Sequence, residues 1–279
     1  MRPRSHATTL REHAARARTK PVARRSLVVV RTRSTMIDLA AVLLAAPQPP
    51  DAIAIAAAAA HYGVSLRVVG TGDVTSFDVE GGGDVHLGLM PAPHPAAAEP
   101  AFGPLAIDPA LIRDTRAHLL VTGRDLAGDT QQRDRVMLGI VAAVLEATGA
   151  PSASLAPGVI FHRPGLVIDF AKLAAESGEL PFEVAVDITS ARESEDRMSF
   201  LTHGLERHGS EDLYVTASVN GRGALDFLFG VGRWFYTQPE MRLPTGDTLG
   251  RSETERVTIQ RVPSPIDPSR TVVRLDLDV

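Results

Sequence analysis

The chain has 279 residues, 44% hydrophobic and 22% charged, a balance that suits one large or two modest globular domains. It has no cysteine, which excludes disulfides, thiolate metal sites and cysteine nucleophiles and fits a reducing cytoplasm. Its net charge of −4 combines a basic start, ten Arg or Lys and one acid in residues 1–35, with a body of 19 basic and 32 acidic groups, a net −13 that disfavours nucleic acid and anionic membranes and steers basic partners.

Residues 1–35 show no lasting apolar period and read as a disordered basic extension. Three readings compete. The favoured one is a mis-assigned start, with the true start at Met36. A second is a basic arm for nucleic acid. The third is an export signal, because Arg24-Arg25-Ser26-Leu27-Val28 has a twin-arginine pattern. Arg31, Arg33 and Asp38 interrupt the apolar core that such a signal needs.

Residues 36–279 read as a single α+β domain, with two subdomains meeting near residue 104 as the variant. Ala40–Ala46 is a buried strand, broken by Pro47-Gln48-Pro49-Pro50. A helix from Asp51 to His61 is closed by Gly63, and Val64–Val69 is the next strand. No apolar run approaches the roughly 18 residues that span a bilayer. Gly70-Thr71-Gly72-Asp73 is a turn rather than a phosphate loop, since strand signals follow it. Val74–Val79 and Asp84–Met90 form a hairpin around Gly81-Gly82-Gly83. Pro91–Pro104 is a crossover loop, then come a short helix over Asp108–Thr115 and a strand over His118–Thr122.

A strong helix spans Gln131–Thr148, with Val136, Met137, Ile140, Val141, Val144 and Leu145 on one stripe. Gly158–Phe161 is a short strand, and an amphipathic helix runs from Pro164 to Gly178. Phe182–Ile188 alternates as a half-buried strand and Thr189–Arg197 is a charged loop. Met198–Thr202 and Leu213–Val219 are strands, Ala224–Thr237 is a helix, and Val257–Arg261 pairs with Thr271–Leu277. The sum is α+β: a mixed, largely antiparallel sheet layered with four or five helices.

Chemistry concentrates in the turn from Thr202 to Asp212. His203, His208 and Asp212 form a candidate polar site, and imidazole with carboxylate suits a divalent metal. An i,i+5 histidine pair across a turn is not a helical ligand pair, however. The favoured reading is an exposed polar turn with no metal and no cofactor. Gly221-x-Gly223 before a helix is a weak nucleotide candidate, because Asp226 would oppose a phosphate there. Asp187 with Glu193, Glu195 and Asp196 is a second carboxylate group, read as a solvated loop. Phe161-His162-Arg163 before a helix reads as a surface turn. Phe227, Phe229, Trp234, Phe235 and Tyr236 read as core, with Tyr236 and Arg233 at an interface edge.

Thr202-His203-Gly204-Leu205, then His208-Gly209 and Glu211, resembles the hallmark turn of a bacterial family known as domain of unknown function 4261. The resemblance rests on Thr202, Gly204, Leu205, Gly209 and Glu211. It extends to Val42-Leu43-Leu44, Met90-Pro91-Ala92-Pro93 and His118-Leu119-Leu120-Val121, and covers Ala40 to the C-terminus. Asp212 departs from the pattern, which has an apolar residue there. The suppressor-of-fused-like family has a similar turn, and its members are interaction proteins. Neither resemblance carries over a catalytic residue.

The leading expectation is therefore a cytoplasmic protein-binding module, immunity-type or regulatory, whose partner is another protein and not membrane or nucleic acid. The alternative is a hydrolytic or nucleotide-using enzyme with a site near residues 202–212. A structural homo-oligomer is the third reading.

Overall fold

A computed structural model describes residues 36–218, 222–250 and 256–277. The chain divides into two units, 1–34 and 35–279, and every helix and strand described belongs to the second. The expected basic extension lies outside the described residues, as do the end of the strand at Val219 and the first glycine of Gly221-x-Gly223.

In chain order the elements are β1 (Ile37–Leu44), α1 (Ala52–Ala60), β2 (Leu66–Gly70), β3 (Val74–Val79), β4 (Asp84–Met90), α2 (Pro109–Ile112), β5 (Ala117–Arg124), α3 (Thr130–Thr148) and β6 (Ser152–Ser154). They continue with α4 (Pro164–Ser177), α5 (Phe182–Ala185), β7 (Asp187–Arg192), β8 (Arg197–His203), β9 (Leu213–Ser218), α6 (Arg222–Thr237), β10 (Thr248–Leu249), β11 (Val257–Pro263) and β12 (Thr271–Leu277). The class is α+β, as expected, with the strands divided between two sheets. The first, in the order β2-β3-β4-β5-β1-β6, is antiparallel throughout. The second, β10-β11-β12-β9-β8-β7, is antiparallel except where β12 runs parallel to β9. No helix among the described residues is long and apolar enough to cross a membrane.

The central helix is α3. Asp129 and Gln132 close a capping box at its start, and Gly149 ends it in the left-handed region. Between these caps Met137, Leu138, Ile140, Val141, Val144 and Leu145 are all buried. They pack α3 against α1, α4 and β1. The residues of β1 that face this layer are Ala40, Val42 and Leu44. The opposite side of β1 carries Leu43 into a smaller core with Ala97, Ile107, Ile112 and Phe161, which covers only one end of the sheet's outer face. At the other end no described element packs on that face, and Ile37, Leu39 and Val74 are exposed. Its cross-strand rows there are Arg67, Asp78, Asp84, Arg124 and Ile37, and beside them Ser76, His86, Thr122 and Leu39.

Several expectations are corrected. Phe182–Ile188 is not a strand. Phe182–Ala185 is one helical turn begun by Pro181, and the strand starts at Asp187. The alternation of Phe182, Val184, Val186 and Ile188 misled because Ala185 and Asp187 between them are buried as well, so the apolar spacing marks burial on all sides and not one face of a strand. The supposed loop Thr189–Arg197 holds most of β7, paired with β8. Gly158–Phe161 is irregular, and the strand in that region is Ser152–Ser154, whose small polar residues carry no strand signal. It is held by register with β1, Val42 opposite Ala153.

Candidate functional site

The Thr202–Asp212 turn is not an exposed polar turn. Thr202, His203, Leu205, His208, Ser210 and Asp212 are all buried. The turn leaves β8 through Gly204 at φ 113°, makes one 3₁₀ turn over Leu205–His208, and closes at Gly209 with φ 87°. A side chain at Gly204 would press on Pro157 and the Ala185 carbonyl, so glycine serves both the backbone angle and the close approach.

Asp212 is the knot that holds this turn. Its Oδ1 accepts from the Thr202 hydroxyl (3.1 Å) and the Leu205 amide (3.0 Å), and its Oδ2 accepts from Arg270 (2.9 Å). Thr202 Oγ1 in turn accepts from the Leu213 amide (2.7 Å). Burial pushes the Asp212 carboxyl above the usual range, against the pull of the Leu205 amide, Thr202 and Arg270. Glu211, on the other side of the chain, forms a two-point pair with Arg261 (2.9 and 2.7 Å). Thr202, Gly204, Leu205, Gly209 and Glu211 thus act together in building one turn.

The two histidines part company. His203 goes to β7, with Nε2 2.8 Å from the Thr189 hydroxyl, and burial lowers its pKa. Nearby Asp187 and His162 form a fully buried pair: His162 Nε2 donates to Asp187 Oδ1 (3.1 Å), while Oδ2 accepts from the amides of Val159 and Ile160 (2.7 and 3.1 Å). His162 is therefore a core residue and not part of a surface turn. Asp187 is separated in role from Glu193, which bonds the Tyr214 hydroxyl. Arg233 pairs with Glu183, and Tyr236 is buried with its hydroxyl on the Leu180 carbonyl (3.1 Å).

His208 goes the other way, towards α3, into a knot with Asp38, Arg133, Asp134 and Arg207. Arg207 Nη2 lies 2.7 Å from Asp134 Oδ1 and 3.5 Å from Asp38 Oδ1. Arg133 Nε is 3.4 Å from Asp38 Oδ2, and His208 Nε2 is 3.5 Å from Asp134 Oδ2. The Tyr236 ring meets the His208 ring edge to face at 4.9 Å. Burial pushes Asp134 up to about 6, opposed by Arg207. Burial and Arg207 together push His208 down to about 4. Sequence reading missed this knot because its members lie 38, 133–134 and 207–208 along the chain. The one local signal was a charged pair, Arg133-Asp134, on the first turns of a helix.

A further cluster was also missed. On the bare face of the first sheet, Ser76 Oγ is 2.9 Å from His86 Nδ1, and His86 Nε2 is 2.9 Å from Asp84 Oδ1. Arg124 holds Asp84 with two bonds (2.8 and 2.7 Å) and keeps its carboxyl below the usual range. The His86–Asp84 contact is not aligned as a hydrogen bond, so Asp84 attracts the ring without orienting it. Among the described residues no group of three or more His, Asp or Glu could hold a metal ion.

No family model matches the chain, and neither a curated protein nor a solved structure matches it.

Proposed function

We propose that this protein works by binding another, basic protein through the bare face of its first sheet. The observation that carries this is a set of exposed apolar side chains on that face. Ile37, Leu39 and Val74 are 54%, 50% and 48% exposed. Gly88 and Leu120 stand in register between Val74 and β1. A sheet face that only meets water is polar; exposed apolar side chains with a charged rim suit a partner. The rim here is Arg67–Asp78 and Arg124–Asp84. The net −13 of residues 36–279 favours a basic partner over an acidic one. The likeness of the Thr202–Glu211 turn to domain of unknown function 4261 and to the suppressor-of-fused-like family supports the same reading, through the interaction proteins of the second, as analogy alone. An immunity-type or regulatory role in the cytoplasm is its concrete form.

The test is an Ile37→Asp, Leu39→Asp double variant compared with wild type by cross-linking in the native cell. A stoichiometric partner is expected with wild type and not with the variant. Because both sites are exposed, the variant's stability should stay within about 0.5 kcal/mol per substitution. A partner retained equally by both proteins, or none with either, rejects this face.

The Ser76–His86–Asp84 contacts favour a second reading, a serine hydrolase at the same face. A fluorophosphonate probe separates the two. The binding reading expects no covalent adduct. An adduct on Ser76 that disappears in His86→Ala would establish the hydrolase instead.

A further inference from the structure

Asp38 Oδ2, Arg133 Nε, Asp134 Oδ2 and Arg207 Nε, buried in the knot between α3 and the turn, make no aligned hydrogen bond to the protein, although Arg133 Nε and Asp38 Oδ2 face each other at 3.4 Å as an ion pair. Native interiors leave few such atoms unpaired, so a cluster of four calls for a partner. A small cavity adjoins the knot. Asp38 and Asp134 form its polar wall, and Leu138, Leu155, Ala156 and Val184 belong to its apolar one. Its free space is about 10 Å³, close to the roughly 10–15 Å³ that a single water requires by the same measure.

Charge decides what kind of occupant fits. The carboxylates of Asp38 and Asp134 already face the guanidiniums of Arg133 and Arg207, two negative groups against two positive. A neutral occupant leaves that balance intact. A hard cation would add charge and would find two carboxylates where it needs six or so oxygen ligands. Water brings two donors for the two unpaired carboxylate oxygens, and two acceptor sites for the N–H groups beside them.

We propose that this cavity is a binding site for one ordered water molecule, which donates to Asp38 Oδ2 and Asp134 Oδ2 and bridges β1 to the start of α3. The bridge continues through Arg207 and His208 to the turn of the second sheet.

A high-resolution crystal structure of the full chain tests this. The expected result is a density peak about 2.7–3.2 Å from both Asp38 Oδ2 and Asp134 Oδ2. An empty cavity overturns the proposal, as does a peak at roughly 2.0–2.6 Å, the distance of a bound cation. Val184→Ile gives a second measurement, because it pushes a methyl group into the same space. Displacing a bonded water should remove the peak and lower Tm by about 2–4 °C. Filling a dry cavity would raise Tm, and a raised or unchanged Tm counts against the water.

Discussion

Replacing Asp212 by Ala should lower Tm by roughly 6–20 °C, the largest effect expected of any single change in the turn. The substitution removes one carboxylate, both of whose oxygens accept, and strands three donors: the Thr202 hydroxyl, the Leu205 amide and Arg270. Two of these belong to residues that are almost fully buried, so water cannot replace what is lost. Stranding a buried charge-assisted network costs about 3–5 kcal/mol, and each kcal/mol moves Tm by about 2–4 °C in a domain of this size. Asp212→Asn keeps an oxygen for Thr202 and Leu205 but turns its amide N–H₂ towards Arg270, so only the Arg270 ion pair is lost. Its loss should be well under half of that seen with Ala. Thermal melts of the two variants beside wild type decide the matter: an Ala variant within about 2 °C of wild type would show that the turn does not depend on this carboxylate.

The second large effect appears only when pH is varied. Asp134 titrates at about 6 in the folded chain, above the unfolded carboxylate. The folded state therefore binds that proton more tightly, and this group adds stability as pH falls from above 6 towards 4. His208 titrates at about 4, below the unfolded imidazole, so it removes stability as pH falls from 6.5 towards 4. Each shift is worth about 3 kcal/mol, and the two nearly cancel in wild type.

Single substitutions should unmask them. The His208→Asn protein, still holding Asp134 beside Arg207, Arg133 and Asp38, should gain stability relative to wild type between pH 7 and 5. In Asp134→Asn the remaining His208, beside Arg207, Asp129 and the Tyr236 ring, should lose stability over the same interval. Urea midpoints at several pH values measure both. Variant curves that run parallel to wild type would mean that the two groups do not titrate in this window.

Much of the fold was legible because local rules and tertiary packing agree. The helix of α3 announced itself by its stripe and by Gly149, and the β3–β4 hairpin by its three glycines. The division into two sheets was not legible. It depends on pairings such as β12 with β9, whose residues lie about sixty positions apart. The turn at 202–212 was found, but its solvent exposure was misjudged. Its partners Arg270, Arg261 and Asp134 come from distant segments, and nothing local distinguishes a buried charged turn from a wet one. For the same reason Asp212 looked like a misfit where an apolar residue belonged. It is the residue on which the turn closes.

The parallel pairing of β12 with β9 has a consequence for how the chain acquires its shape during synthesis. In the second sheet β12 is an inner strand, the sole link between the β10–β11 ribbon and the β9-β8-β7 half. Of the twelve described strands it is also the last to be made. The first sheet, complete by Ser154, can assemble on the nascent chain while the ribosome is still translating. The second cannot. Until Thr271–Leu277 emerge, β9 presents an unpaired edge and Asp212 waits for Arg270, so the nascent protein passes through a half-built state in which an open strand must be kept from its neighbours.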